Sequence, residues 1–226
     1  MSFVMTFNFT SGSKSAPVMT GSGPAAPSRT LIHIRIIHTE ADMGGLGKAV
    51  QHANIRRMGR VAWLRKVTAA NQMWRGIEAY LERLPLDYTK VRIYQDSMPV
   101  CGHEMGIVAE LAAAGSRNHQ LLLKLVNKEA KLMGTEEPEL LLDEYELMKQ
   151  ILVNMAPTQT SAIHHKQGVF RASLLNRRDE FIARRINDTL LDGETGLLFL
   201  GILHSPLSAV APDIKVLVYP DNQKKA

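Results

Sequence analysis

The chain has a single cysteine, Cys101. No disulfide can form within it, and a reducing, cytoplasmic setting is expected. As a lone thiol, Cys101 reads more readily as a small packing residue than as a nucleophile. No apolar run is long enough to span a bilayer, so a membrane partner is not expected. The amino terminus lacks a basic stretch leading into an apolar one, which argues against a secretory signal. HExxH, CxxC, GxxxxGK[ST] and GxGxxG are all absent, and the Gly44, Gly45, Gly47, Lys48 cluster fits neither phosphate-loop spacing. Acidic residues are missing altogether between Asp42 and Glu78, where Lys48, Arg56, Arg57, Arg60, Arg65, Lys66 and Arg75 fall. Without a nucleic-acid reading motif, that basic stretch is better read as a solvated helix face, or as one meeting the acidic Glu136–Glu146 stretch.

What is present is an ordinary globular composition, 45% apolar and 22% charged over 226 residues, enough for one sizeable core. Met1 to Thr30 is rich in Ser, Gly, Pro, Thr and Ala and reads as a flexible tail. From Leu31 the chain alternates strand and helix signals. Strands are expected at Leu31–Ile37, Val91–Tyr94, Lys131–Met133, Leu197–Leu200 and Ile214–Tyr219, from alternation or short apolar runs. Leu46 to Leu84 predicts two helices with a break near Ala69–Gln72. Further helices are predicted over Gly102–Ala114, from Ser116 as a cap, from Thr135 with Pro138 near its start, and over Arg177–Leu190. Asn154–Gly168 reads as a polar connection that could cover a site. Strand followed by helix, repeated, predicts one α/β domain with a mostly parallel central sheet flanked by helices.

Ionisable residues gather just past the strands. His38 and Glu40 follow the first, Gln95 and Asp96 the second, Glu136 the third and His204 the fourth. In a parallel sheet these ends share one edge, where ligands bind in open α/β folds. Glu104, in a first helical turn, and Arg178 with Asp179, at the start of a helix, are expected to reach the same edge. Two histidines and several carboxylates in one cleft suit either of two chemistries. One is a divalent metal that activates water, held by His38, Glu40 and His204. The other is metal-free hydrolysis in which His38 or Glu40 takes a proton from water.

Arg178-Asp179-Glu180-Phe181-Ile182-Ala183, followed by Leu200-Gly201-Ile202-Leu203-His204, resembles the carboxy-terminal motif of the TraB/Tiki group. That group is classed with the erythromycin-esterase-like and ChaN-like proteins. The strand running into His38-Thr39-Glu40 is similar to their opening Gly-Glu-x-His, with the order of Glu and His reversed, and Gly134-Thr135-Glu136 is similar to a later strand-end glutamate. The resemblance implies an α/β hydrolase, a metal-dependent peptidase or a haem-binding protein.

The functional expectation is a hydrolase acting on a small-molecule or peptide substrate. Its catalytic set is His38, Glu40, Arg178 and His204. Arg178 would stabilise developing negative charge, and His204 would serve as metal ligand or proton shuttle. Gln95, Asp96, Glu104, Glu136 and Asp179 would bind or orient the ligand. The alternative is a non-enzymatic protein that binds or senses a small ligand in the same cleft. A homo-oligomer is compatible with the sequence.

Overall fold

The computed structural model describes residues 28–153 and 161–220, with backbone only at 153 and over 161–167. The expected tail lies outside the described residues except at Ser28–Thr30, where Arg29 and Thr30 belong to the first strand and not to a tail. The five strand segments form as expected: β1 Arg29–Ile36, β2 Val91–Gln95, β3 Lys131–Met133, β4 Thr195–Gly201 and β5 Ile214–Tyr219. They make one sheet in the order β3-β2-β4-β1-β5, and every pairing is parallel. β4 is inserted between β1 and β2, with Ile34 and Gln95 both in register with Phe199. All five carboxyl ends thus lie along one edge.

Among the described residues there are six α-helices: α1 Gly47–Met58, α2 Arg60–Arg83, α3 Glu104–Ala113, α4 Arg117–Val126, α5 Pro138–Val153 and α6 Ser161–Thr189. Alternate residues of the strands divide the core into two layers, because side chains on a strand point to opposite faces. Ile32, Ile34, Ile36, Ile93, Leu197 and Phe199 pack on one face against Trp74, Ile77 and Leu81 of α2, Val108 of α3, and Leu121, Leu122 and Leu125 of α4. On the other face Leu31, Tyr94, Leu198 and Leu200 meet Ile182 and Ile186 of α6 and Leu190 just beyond it. Ile182, Ile186 and Leu190 are all but fully buried, and each such side chain contributes about 1.5–3 kcal/mol. The result is helices on both faces of a parallel sheet, whose central strands read as continuous apolar runs for that reason.

Four local expectations are corrected. The break between α1 and α2 falls at Gly59, whose φ of +80° suits a residue without a Cβ, and α2 runs unbroken through Ala69–Gln72. Ser161–Gly168, read as connection, is helical and opens α6; residues 154–160 lie outside the described residues. Arg178 and Asp179 consequently stand well inside a long helix, not at its start. Cys101 is exposed, so it is not a packing residue.

Candidate active site

Asp96, the first residue beyond β2, is the centre of the carboxyl edge. Its backbone N–H continues the ladder to Phe199 of β4, which fixes where the side chain starts. Asp96 Oδ2 accepts from the backbone N–H of Gly201 at 2.7 Å and stands 2.9 Å from His38 Nε2. Asp96 Oδ1 accepts from Arg178 Nη2 at 3.0 Å and from Ser97 Oγ at 3.0 Å. A Cβ on Gly201 would come within 2.8 Å of Asp96 Oδ2, so glycine at the end of β4 is what lets the carboxylate approach. Ser97 adopts a φ of +61°, an uncommon backbone state for a residue with a side chain. Its N–H donates to Glu136 Oε1 at 2.6 Å and holds it there.

His204 completes the group. Its Nδ1 lies 2.6 Å from Asp179 Oδ1 and its Nε2 3.7 Å from Asp96 Oδ2, while Asp179 Oδ2 also accepts from the Ser205 N–H. Two His–carboxylate pairs therefore flank one buried aspartate. Arg178 lies beneath them, 3% exposed, and donates to Glu136, Asp96 and Glu144 together.

These contacts set the charge states. Burial by itself would raise the Asp96 pKa, but His38, His204 and Arg178 outweigh it and hold the carboxyl well below its usual range. Burial would lower both histidines. Asp96, with Asp42 behind it, outweighs this at His38; Asp179 and Asp96 do so at His204, so both rise above their ordinary value. Glu136 is shifted the other way. Burial and the nearby Asp96 charge raise it, against the pull of Arg178 and the Ser97 N–H. Burial works against the Arg178 charge, yet its three carboxylates raise its pKa further.

A cavity of about 410 Å³ opens over this floor. His38, Asp96, Arg178 and His204 line it together with Gln95, Asp42, Ser97, His119 and Glu144. Its walls are apolar, supplied by Leu46, Ile107, Leu111, Leu141, Met148 and Leu174 among others. A volume in this range accommodates a small organic ligand.

Not every expected residue joins. Glu40 turns away: its Oε1 accepts from Asn54 Nδ2 at 2.9 Å and Trp63 Nε1 at 3.1 Å, which tie it to α1 and α2. Those bonds hold its pKa below the ordinary value although burial would raise it. Asp42 stands in the cavity wall where Glu40 was expected, because the turn after β1 is a short 3-10 helix over Glu40–Leu46. Glu104 is likewise absent from the floor; its Oε1 accepts from the N–H groups of Cys101 and Gly102 at 3.0 Å each and closes the turn into α3. Glu136 is fully buried and serves as the anchor of Arg178. Arg178 itself was expected to meet developing negative charge, but four of its five N–H donors go to carboxylates.

Three contributors had no strand-end signal in the sequence: Asp42, His119 and Glu144. Asp42 Oδ2 accepts from the Thr39 N–H at 2.6 Å and hydroxyl at 2.9 Å, and Oδ1 accepts from Ser116 Oγ. Ser116, the cap of α4, also stands 2.7 Å from His119 Nδ1. The only hint for these residues is the pattern of cap positions at Thr39 and Ser116.

No group of three or more His, Cys, Asp or Glu side chains is arranged to hold a metal ion among the described residues. Asp96 is saturated by four donors, and a guanidinium sits where a cation would otherwise be favoured. The donor set therefore does not fit the expected ion at His38, Glu40 and His204. The basic α1–α2 face is exposed at Lys48, Arg56, Arg57, Arg60, Arg65 and Arg75. None of these residues forms an ion pair with the acidic side chains of α5 among the described residues. Also among the described residues, no helix is long and apolar enough to cross a membrane. In comparisons with known proteins, no family model, no curated protein and no solved structure matches the chain.

Proposed function

We propose that the cleft is the active site of a hydrolase that works by acid–base chemistry on a substrate with a sizeable apolar body. The single observation that carries this is the His38–Asp96 pair on the floor of an apolar-walled cavity. Asp96 accepts from Nε2–H, which orients the ring and leaves the lone pair of the neutral imidazole at Nδ1 to take a proton from water; the same carboxylate then stabilises the imidazolium that forms. The water oxygen would attack a carbonyl carbon, the bond to the leaving oxygen or nitrogen would break, and His204 would return a proton to that atom. Asp179 keeps the His204 proton-donating form available through Nδ1. Arg178 has a positioning role, holding Asp96, Glu136 and Glu144 in one array. The likeness of Arg178–Asp179 and Gly201–His204 to the TraB/Tiki motif supports a hydrolytic reading.

A second reading, a binding or sensing protein without turnover, is favoured by the engagement of Arg178, which commits four of its five guanidinium N–H donors to carboxylates instead of to an oxyanion. Turnover of aryl esters with short, medium and long acyl chains separates the two. The expected result is hydrolysis that is abolished in His38→Asn, reduced in His204→Asn and indifferent to a chelator. Equal rates in wild type and His38→Asn would overturn the assignment. A stoichiometric metal, lost together with activity on chelation, would overturn the metal-independent mechanism.

A further inference from the structure

We propose that the α4 side of the cleft contains a second polar subsite, built from Gln95 and His119, that accepts a hydrogen bond from a neutral hydroxyl on an apolar ligand. The inference rests on the reading of the cleft as a ligand site, but not on the hydrolytic step. Gln95 ends β2 and is 1% exposed, yet it lines the cavity. Its Nε2 donates to the backbone carbonyl of Asp96 at 3.1 Å. Reversing the amide would set two acceptors against each other, so the orientation is chemically determined. Gln95 Oε1 is then a buried acceptor with no partner among the described residues. An unpaired buried acceptor is uncommon enough in folded proteins to need a cause.

His119 presents a second acceptor by a different route. Ser116 has one hydroxyl proton, and it goes to Asp42 Oδ1, whose pKa is kept low by the donors around it against the effect of burial. Ser116 Oγ must therefore accept at its 2.7 Å contact with His119 Nδ1, as it does from the His119 backbone N–H. Nδ1 carries a hydrogen, so in the neutral imidazole the lone pair stands at Nε2, on a ring that lines the cavity. Ser116 cannot act as a nucleophile in this arrangement. It is fully buried, and it stands between the aspartate and the histidine instead of beyond the histidine.

Two acceptors repel an anion. A cation is disfavoured in turn by Arg178 and by the protonated forms of His38 and His204 on the same floor. What remains is a neutral donor, and the apolar walls specify the rest of the molecule. Under the hydrolytic reading, this hydroxyl belongs to a part of the substrate away from the bond that breaks.

The test compares n-hexanol with its isomer methyl pentyl ether, which matches it in atoms but has no donor. Binding is followed by amide chemical shifts of the full chain. The alcohol should bind about tenfold more tightly than the ether, the size expected for pairing a buried acceptor. Gln95→Met should bring that ratio to about one while leaving the ether affinity in place, and His119→Phe should reduce it partway. Equal binding of alcohol and ether to wild type would mean that cavity water satisfies Gln95, and would overturn the proposal. So would an unchanged ratio in either variant. If the alcohol is preferred but no ester is hydrolysed, the hydrolase reading fails and this subsite stands; the opposite result removes the subsite alone.

Discussion

Ionic groups at the two edges of the sheet are organised on different principles. At the amino edge, Arg29 meets Asp213 and Arg92 meets Glu194, one cation to one anion. At the carboxyl edge a single guanidinium, Arg178, is shared by Asp96, Glu136 and Glu144, and His38 and His204 are drawn in beside them. Balanced pairs neutralise themselves and act as clips between strand starts and loops. A surplus of carboxylate charge does something else: it raises the proton affinity of the adjacent imidazoles. The carboxyl edge is therefore a place where protons can be exchanged, and the amino edge is not.

The largest break in this contrast should come from Arg178→Met. It leaves Asp96 and Glu136 buried without their cation and should destabilise the fold by about 3–5 kcal/mol. Urea unfolding at neutral pH measures it, and a loss below about 1 kcal/mol would mean that water already solvates the cluster.

Next comes a pH effect from His33, which is buried on β1 between the two edges with neither ring nitrogen paired. Burial first, then Arg35 and His204, lower its pKa to about 4. A depressed folded value means that the unfolded chain binds the proton more readily. Stability is then lost as pH falls from about 6.5 toward 4, by on the order of 3 kcal/mol. His38 and His204 have raised values and the opposite sign. Their contribution is complete below the unfolded value and is lost as pH rises through the folded one. Unfolding midpoints measured across this range should show His33→Leu losing only the acid-side slope. A double His38→Gln, His204→Gln variant should lose only the slope on the alkaline side.

A smaller effect is expected for Gly201→Ala, whose Cβ would displace Asp96 Oδ2. Forced repacking of this kind costs about 1–3 kcal/mol, and ligand binding or turnover should fall with it. The smallest is Asp213→Ala at the amino edge, where a half-exposed partner of Arg29 should be worth less than about 1 kcal/mol. A loss from Asp213→Ala as large as that from Arg178→Met would erase the distinction between the edges.

Much of the fold was legible along the chain. Strand positions followed from short apolar runs and alternation, and the parallel arrangement followed from strand and helix taking turns. The convergence of His38, Asp96 and His204 was legible for the same reason, since parallel strands place their carboxyl ends together. Glu40 and Asp42 are two positions apart in a turn, and nothing in their residue types says which one faces the cleft. The 3-10 turn and the donors Asn54 and Trp63 decided that. His119 is adjacent to the site only because α4 packs beside α3 and its cap Ser116 bonds across 74 residues to Asp42.

The sequence by itself determined that the protein has an α/β architecture, with ionisable residues placed just beyond parallel strands. Period and punctuation are local, and so is the position of a residue relative to the end of its own strand. Only the tertiary structure decided which of these groups are paired. Arg178 reaches three carboxylates from separate segments, and that sharing turned it from an expected oxyanion partner into an anchor. Against burial and the Arg178 charge, Asp96 with Asp42 raised the proton affinity of His38, and Asp179 with Asp96 that of His204. Proton affinity depends on charges brought within a few ångströms in a medium of low dielectric, and distance through space is the quantity a linear chain does not contain.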